Sequence, residues 1–283
     1  MKLIECPRDA MQGLDEFIPT EVKAAYLNQL LKVGFDTVDF GSFVSPKAIP
    51  QLRDTVDVLK RLDLSETHSK LLAIVANTRG AEEAANWSEI SHFGFPLSIS
   101  ETFQKRNTNK SISEALKSVE EIQGICKRSN RTLVIYISMG FGNPYGDPYD
   151  LSTVEEFTTL LSELEIKIIS LADTIGVSSP DQIKYLFNTL VPKFPAIEFG
   201  AHLHSNPATA VQKIEAAYLS GCQRFDGAIR GFGGCPMAED ELVGNLATEA
   251  ILAYLKSEDA LPNLDLKEFA NSLIMADSIF PKH

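Results

Sequence analysis

A regular alternation of short apolar runs and longer amphipathic segments constrains the fold of this chain more than any other feature. The apolar runs predict β-strands at 2–6, 35–40, 71–75, 92–98, 132–138, 167–172, 197–202 and 222–228. The amphipathic segments predict helices at 21–33, 45–62, 80–87, 111–127, 153–164, 180–190, 207–219 and within 240–255. Continuous apolar strands that alternate with helices indicate a parallel sheet, and eight such units close it into a (β/α)8 TIM barrel. The alternative is an open doubly wound sheet, which usually has a glycine-rich first turn, whereas the turn here is Pro7-Arg8-Asp9.

The chain is predicted to form one catalytic domain over residues 1–283, with the barrel at about 1–257 and a C-terminal helical extension at about 262–283. Of its residues 44% are hydrophobic, which is enough for a large core. A net charge of −12 argues against nucleic acid or an anionic membrane as a partner. The longest apolar run, 71–76, is too short to span a bilayer, and the charged N-terminus does not resemble a signal peptide. We therefore expect a cytoplasmic protein.

The four cysteines form no CxxC pair, which favours reduced thiols over a disulfide framework. Three of them, Cys6, Cys126 and Cys222, are predicted to be small buried residues. Cys235 differs from these, because glycines precede it and Pro236 follows it. Glycines permit backbone movement, so this segment is predicted to be a lid that carries a thiol.

Two histidines stand two residues apart at the end of the seventh predicted strand. Side chains alternate faces along a strand, so His202 and His204 project together and could bind a metal ion. In a TIM barrel the active site lies at the carboxyl ends of the strands, where this chain has many other polar residues. They are Arg8, Asp9, Gln12, Asp39, Ser42, Asn77, Arg79, Asp173, Thr174 and Asn245. Asp9 is the best carboxylate ligand, because barrel closure brings the first, seventh and eighth strands together. Such a mixed nitrogen and oxygen set suits Mg²⁺ or Mn²⁺, with Zn²⁺ as the alternative.

Six segments, in order along nearly the whole chain, carry a resemblance to a known family. They are Pro7-Arg8-Asp9-Ala10-Met11-Gln12, Ser42-Phe43-Val44-Ser45-Pro46-Lys47, Asp173-Thr174-Ile175-Gly176-Val177, His202-Leu203-His204, Gly233-Gly234-Cys235-Pro236 and Gly244-Asn245-Leu246-Ala247-Thr248-Glu249. With these segments the chain resembles the 3-hydroxy-3-methylglutaryl-CoA (HMG-CoA) lyases of the DRE-TIM metallolyase superfamily.

The resemblance implies a divalent-metal-dependent lyase that cleaves HMG-CoA to acetyl-CoA and acetoacetate, with an acyl-CoA as its partner. The sequence does not determine the oligomeric state, for which a homodimer is one option. It implies that the metal ligands are Asp9, His202, His204 and Asn245. It further implies that Arg8 is catalytic and that Cys235 delivers a proton to the product enolate. The candidates for the base are Asp39, Asp173 and His202, and the further substrate-binding residues are Gln12, Ser42, Asn77 and Ser170.

Several departures from the family pattern lie in or beside the predicted pocket. Ala10 and Met11 replace Gly-Leu, Ser205 replaces an aspartate, and Asp39 replaces a glutamate. They leave related activities open: cleavage of another acyl-CoA or 2-oxo acid, an aldolase reaction, or a Claisen-type condensation. A condensing enzyme is usually longer, and an aldolase is expected to lack the Gly-Gly-Cys-Pro segment. A non-catalytic binding protein is the remaining alternative, and the complete set of site residues argues against it.

Overall fold

In a computed structural model, which describes residues 1–234 and 243–280, eight parallel strands form a closed barrel. The strands are β1 (Lys2–Glu5), β2 (Thr37–Ser42), β3 (Lys70–Ile74), β4 (Ile90–Ser98), β5 (Thr132–Ser138), β6 (Ile168–Asp173), β7 (Glu198–Leu203) and β8 (Arg224–Gly227). Each strand pairs with the next in sequence, and β8 closes the barrel on β1, with Arg224 opposite Lys2. The predicted TIM barrel is therefore confirmed.

Eleven α-helices are present in the described part of the chain. They are α1 (Pro7–Gln12), α2 (Thr20–Leu31), α3 (Thr55–Leu59), α4 (Thr78–Ala85), α5 (Glu101–Thr108), α6 (Ile112–Ser129), α7 (Leu151–Glu163), α8 (Pro180–Lys193), α9 (Pro207–Leu219), α10 (Thr248–Ser257) and α11 (Leu266–Ile279). None of them is long and apolar enough to cross a membrane.

The helix predicted at 45–62, with Pro50 either in its first turns or at a break, is not continuous. The structure has only a short 3₁₀ helix (Pro50–Leu52) and the five-residue helix α3 there. Proline lacks an N–H and clashes with the preceding turn, so Pro50 can begin a helical turn but cannot continue one.

Two helices, α1 and α5, were not expected from the sequence. Pro7 occupies the first position of α1, where its missing N–H costs nothing. Ser100 caps α5 by accepting a hydrogen bond from the Phe103 backbone N–H at 3.1 Å. Asn109 ends α5 in the left-handed conformation, with φ of 55°. Consequently Arg8, Asp9 and Gln12 project from a short helix and not from a loop.

The barrel interior has an apolar side and a polar side. Residues of β3, β5 and β6 form the apolar cluster, namely Leu72, Ile74, Val134, Tyr136 and Ile168. On the other side the register of β7 and β8 places Gly200 beside Arg224, which is only 1% exposed. A Cβ at Gly200 would lie 2.5 Å from Ser170 Oγ and 3.0 Å from Arg224 Cδ, so this glycine makes room for the buried arginine.

The predicted C-terminal helix is confirmed as α11, which packs against α2 and the short 3₁₀ helix (Ile229–Gly231). Phe280, next to α11, stacks on Phe232 at 4.7 Å between ring centroids and meets Tyr26 edge-on at 5.8 Å. The three cysteines that were predicted to be small buried residues are buried free thiols.

Candidate active site

A pocket of about 150 Å³ opens at the carboxyl ends of the strands. It combines a polar side around α1 and β7 with an apolar side around the loop after β2. The polar side includes Arg8, Asp9, Gln12, Ser138, Thr174, His202 and His204, and the apolar side includes Val44, Ala48, Ile49, Ile74, Ala76 and Phe103. This placement at the mouth of the barrel is the one expected for the active site of the fold.

The buried guanidinium of Arg8 organises the polar side of the pocket. Its Nε and Nη2 donate to Asp39 Oδ2 at 2.9 and 2.5 Å. Its Nη1 donates to Asp9 Oδ1 and to Gln12 Oε1, both at 2.9 Å. Gln12 in turn donates to Asp9 Oδ1 at 2.8 Å, so the side chains of α1 form one network. Such a network holds both the guanidinium and the Asp9 carboxylate in fixed orientations.

His202 and His204 lie together as predicted, with ring centroids 5.4 Å apart. His204 Nδ1 is 2.7 Å from the Val243 carbonyl oxygen, which can only accept, so Nδ1 carries the proton. His202 Nδ1 is 3.2 Å from Asp226 Oδ2. In both rings these contacts leave Nε2 as the nitrogen available to a metal ion, an arrangement that is usual for histidine ligands.

Asn245 lies beside Asp9, and its Nδ2 donates to Asp9 Oδ2 at 2.7 Å and to the Phe232 carbonyl at 2.9 Å. Gly233, with φ of +103°, packs closely against both residues: a Cβ there would lie 2.7 Å from Asn245 Nδ2 and 2.9 Å from the Asp9 carbonyl oxygen. A side chain at position 233 would thus collide with the site, which explains why this residue is a glycine.

The ionisable groups of the site shift one another's pKa values. Burial alone would raise the pKa of Asp9, but the Arg8 guanidinium and the two histidines outweigh burial and lower it. Burial raises the pKa of Asp39 to about 6, although Arg8 opposes the shift. Burial lowers the pKa of His204, and His202 lowers it further, which favours the neutral ring that a metal requires. Burial would also lower the pKa of His202, but the hydrogen bond and charge of Asp226 outweigh it and raise the pKa.

The donor set fits a divalent metal ion. Ligand atoms of Asp9, His202 and His204 all lie within 4.8 Å of one another, and all three residues are buried. Around these ligand atoms, the buried carboxylates outnumber the buried guanidinium groups. The carboxylates are those of Asp9, Asp39 and Asp226, and the guanidinium groups are those of Arg8 and Arg224. The excess of negative charge favours a bound cation. A second set of ligand atoms, from Cys6, His202 and Asp226, is equally close, but burial and the surrounding carboxylates raise the pKa of the Cys6 thiol well above its ordinary value, which disfavours metal binding there.

Two of the predicted bases lie behind the pocket wall. Asp39 is fully buried beneath Arg8, and its Oδ1 has no hydrogen-bond partner among the described residues. Asp173 Oδ2 accepts from Lys213 Nζ at 2.7 Å and from Ser178 Oγ at 2.5 Å. Lys213 also donates to the His204 carbonyl at 2.9 Å, so this buried pair supports the backbone that carries His204. These contacts connect Asp173 to the backbone at His204, and its role as a base stays a prediction.

Three of the predicted substrate-binding residues lie outside the pocket wall. Ser42 and Asn77 line a separate cavity of about 190 Å³, and Asn77 Oδ1 caps α4 by accepting from the Gly80 N–H at 2.9 Å. Ser170 is fully buried within the barrel, 3.4 Å from Asp226 Oδ2. Substrate contact by these three residues stays a prediction. Cys235, the predicted proton donor, lies outside the described residues.

Sequence reasoning missed Asp226 and Tyr136. Asp226 orients His202, and Tyr136 lines the pocket and meets the His202 ring edge-on at 5.3 Å between centroids. A signal for Asp226 was present, because a carboxylate within an otherwise apolar strand is rarely buried without a partner.

The chain matches known proteins over nearly its whole length. A family model described as HMGL-like matches residues 3–274. Hydroxymethylglutaryl-CoA lyase YngG of Bacillus subtilis is 36% identical over 266 residues, which cover 94% of this chain and 88% of that protein. The mitochondrial hydroxymethylglutaryl-CoA lyase of Bos taurus is 33% identical over 258 residues, covering 90% and 78%.

Solved structures agree with these relatives. The Bacillus subtilis HMG-CoA lyase superposes with a TM-score of 0.91 at 33% identity, covering 98% of this chain and 93% of that one. An HMG-CoA lyase of Acinetobacter baumannii, in complex with coenzyme A and 3-methylmalate, superposes with a TM-score of 0.90 at 27% identity, covering 98% and 90%. The chain therefore belongs to the HMGL-like family and is a carbon–carbon lyase of the oxo-acid lyase type.

Proposed function

We propose that this enzyme cleaves HMG-CoA to acetyl-CoA and acetoacetate with the help of a divalent metal ion. The observation that carries the proposal is a contact at the mouth of the barrel. There the Arg8 guanidinium donates to the Asp9 carboxylate, whose ligand atom lies close to those of His202 and His204. Relatives with 36% and 33% identity are named for this reaction, which supports the same substrate here.

The reaction is a retro-Claisen cleavage. A base takes the proton of the tertiary hydroxyl, and that oxygen becomes the ketone of acetoacetate as the adjacent carbon–carbon bond breaks. The bonding electrons leave on the second carbon of the acetyl thioester as an enolate. Protonation of that carbon completes acetyl-CoA, so the proton lost at the first step is balanced by the one gained at the last.

Asp9, His202 and His204 would hold the metal ion, with Asn245 as the fourth ligand. Mg²⁺ or Mn²⁺ is proposed, with Zn²⁺ as the alternative. When bound, a divalent ion supplies Lewis acidity and positive charge beside the reacting oxygens.

Arg8 would stabilise the negative charge that develops on the thioester oxygen. Burial opposes the charge of Arg8, but Asp39 and Asp9 outweigh burial and raise its pKa, so the guanidinium stays charged. Its contacts with Asp39 fix its orientation before substrate arrives, and a preorganised cation stabilises a transition state better than a mobile one.

Asp39 is the best candidate for the base. Nδ1 of His202 is engaged by Asp226, and a metal on Nε2 would leave this ring no free nitrogen. Asp39 Oδ1 has no hydrogen-bond partner among the described residues, and burial raises the pKa of this carboxyl to about 6, near working pH. Arg8 contacts only Oδ2 of Asp39, so Oδ1 is the atom that would accept the proton.

Cys235 is proposed to protonate the enolate, as the family resemblance implies. Replacing it with alanine should leave folding and metal binding intact and lower kcat by orders of magnitude. Melting temperature and kcat measured together on Cys235→Ala test this role, and near-normal kcat would remove the thiol from the mechanism.

A second candidate substrate is a homologous acyl-CoA with a larger group in place of the methyl. The apolar side of the pocket favours this alternative, because a larger alkyl group would find apolar lining there, including Val44, Ile49 and Ile74.

The test is a substrate screen on metal-loaded enzyme. HMG-CoA and homologues with longer 3-alkyl groups are incubated with Mg²⁺ or Mn²⁺, and acetyl-CoA and the ketone product are quantified. The proposal expects cleavage of HMG-CoA that chelation abolishes. Preference for a longer homologue would favour the second candidate, and cleavage of neither substrate class would refute both.

A further inference from the structure

We infer that Arg224 is a positioning residue, which holds the Asp226 carboxylate in the place from which that carboxylate orients His202. The inference deepens the proposed function, because it rests on His202 acting as a metal ligand. Arg224 lies inside the barrel below the pocket and does not line it.

The residues form a chain of contacts down the barrel interior. Asp226 Oδ2 lies 3.2 Å from His202 Nδ1, and Asp226 Oδ1 lies 3.8 Å from Arg224 Nε. Arg224 Nη1 lies 3.5 Å from Glu198 Oε1, and Glu198 pairs with Lys2. The chain therefore runs from the ligand histidine toward the opposite end of the barrel.

Burial makes the charge of Arg224 important. The side chains of Arg224 and Asp226 are 1% and 0% exposed, so neither charge is stabilised by bulk water. Burial alone would lower the pKa of Arg224, but Asp226, Tyr136 and Glu198 outweigh it and raise the pKa, so the guanidinium stays charged. An ion buried to this degree persists only when paired.

The two carboxylate oxygens of Asp226 have different surroundings. Oδ2 of Asp226, the oxygen that contacts His202, is also 3.4 Å from Ser170 Oγ. Oδ1 of Asp226 has no hydrogen-bond partner among the described residues. Arg224 supplies the attraction that keeps Oδ1 turned toward the guanidinium, and this leaves Oδ2 directed at His202.

Orientation of His202 matters because Asp226 selects its tautomer. In the neutral ring, a carboxylate that accepts from Nδ1–H leaves Nε2 unprotonated and free to bind a metal ion. If Asp226 turns away, Nδ1 loses its acceptor and the two tautomers become closer in energy. Replacement of Arg224 should therefore weaken metal binding, although Arg224 is not itself a metal ligand.

The test compares Arg224→Met and Asp226→Asn with wild type in two ways that do not need activity. Mn²⁺ affinity is measured by titration, and the tautomer of His202 is read from ring ¹⁵N–¹H correlation spectra of metal-free protein. Loss of such an outer partner typically weakens metal binding 10- to 100-fold, and we expect about tenfold for Arg224→Met. The spectra of this variant should show a mixture of tautomers.

Lys23→Met is the matched control. Lys23 is a buried cation that is 2% exposed and pairs with Asp54 at 2.7 Å, at a distance from the pocket wall. Both replacements should lower stability, but only Arg224→Met should alter Mn²⁺ affinity and the ring spectrum. If Arg224→Met does not fold, Arg224→Gln, which keeps a planar polar head without the charge, decides by the same readouts.

Unchanged Mn²⁺ affinity and an unchanged His202 spectrum in the folded Arg224 variant would overturn the inference, whatever happens to stability. If wild type binds Mn²⁺ but cleaves no acyl-CoA, the proposed function fails while the inference is still judged by affinity and tautomer. If wild type cleaves HMG-CoA and the folded variant keeps both its Mn²⁺ affinity and its His202 spectrum, the inference alone fails.

Discussion

Replacing Glu5 with glutamine should make the stability of this lyase less sensitive to pH. Glu5 ends β1 and is fully buried, where its Oε1 accepts from the Ile229 N–H at 2.9 Å and its Oε2 from Thr248 Oγ1 at 2.6 Å. It therefore ties the first strand to the segment that leads into the glycine-rich loop and to α10. Glutamine has the same shape: its Oε1 can accept from the Ile229 N–H, and its Nε2 can donate to Thr248 Oγ1.

The magnitude follows from the pKa of Glu5. Burial raises this pKa from 4.5 to about 8, although the hydrogen bonds from Thr248 and Ile229 oppose the shift. The folded protein thus holds a proton that the unfolded chain releases. The associated stabilisation is complete below the unfolded pKa and is lost as pH rises toward the folded pKa. The slope is about 1.4 kcal/mol per pH unit, so roughly 4 kcal/mol should disappear between about pH 5 and about pH 8.

The assay is urea unfolding of wild type and Glu5→Gln at several pH values across this window. The difference in unfolding free energy removes the contributions of groups that both proteins share. We expect near equality at about pH 5 and a growing advantage of the variant toward about pH 8. Glu258→Gln, which removes an exposed carboxylate after α10, is the control and should follow wild type.

Parallel stability curves for wild type and Glu5→Gln would refute the reasoning, because they would mean that Glu5 is ionised in the folded protein. Infrared spectroscopy gives an independent check. The stretch of a protonated carboxyl group should be present in wild type at neutral pH and absent from the variant.

Three further predictions concern the site. Arg8→Lys should lower kcat about 100-fold with a smaller change in KM, because a point charge replaces an oriented planar donor; steady-state kinetics in which only KM rose would assign Arg8 to binding. Asp9→Asn should lower the affinity for Mn²⁺ at least about tenfold, because a charged ligand becomes neutral. A binding titration measures this affinity, and an unchanged value would exclude Asp9 as a ligand. Gly233→Ala should lower both unfolding free energy, by about 1–3 kcal/mol, and Mn²⁺ affinity. Gly146→Ala is its control, since Gly146 also has a positive φ of +74° but its Cβ would meet no described atom within 4 Å, and equal effects would contradict the close-packing argument.

The strands could be predicted because their apolar, β-branched runs leave little choice of structure, as at β5, whose predicted and observed bounds agree. The helices were harder to predict where they are short or polar. The six residues of α1 are too few to show a helical period, and α5 has the polar sequence ETFQKRNT. A pattern of apolar residues cannot detect a helix whose buried face is so narrow.

The strand-end rule brought Asp9, His202 and His204 together, because closure of a parallel barrel fixes which strand ends are neighbours. The same rule could not separate residues on the pocket wall from those behind it. Asp173 lies at the carboxyl end of its strand, and Asp9 lies just beyond the end of β1, yet Asp173 is engaged by Lys213, 40 residues later in the chain. Which partner a buried carboxylate finds depends on helix packing, and the local sequence does not contain that information.

The two sides of the barrel interior explain why the buried charges lie where they do. Branched apolar side chains usually fill a TIM barrel, and here they do so on the side of β3 to β6. A packed apolar filling on the other side would be more favourable for stability than Arg224 and Asp226, because buried ions lose their hydration. That side, however, carries the histidines at its upper end, and an apolar residue in place of Asp226 would leave His202 Nδ1 without its acceptor. If His202 binds the metal ion as proposed, the site needs the Asp226 carboxylate, and that buried carboxylate needs the Arg224 guanidinium as its counterion. Orienting His202 therefore requires the burial of further charged groups, which lie one below another in the barrel interior as Asp226, Arg224 and Glu198.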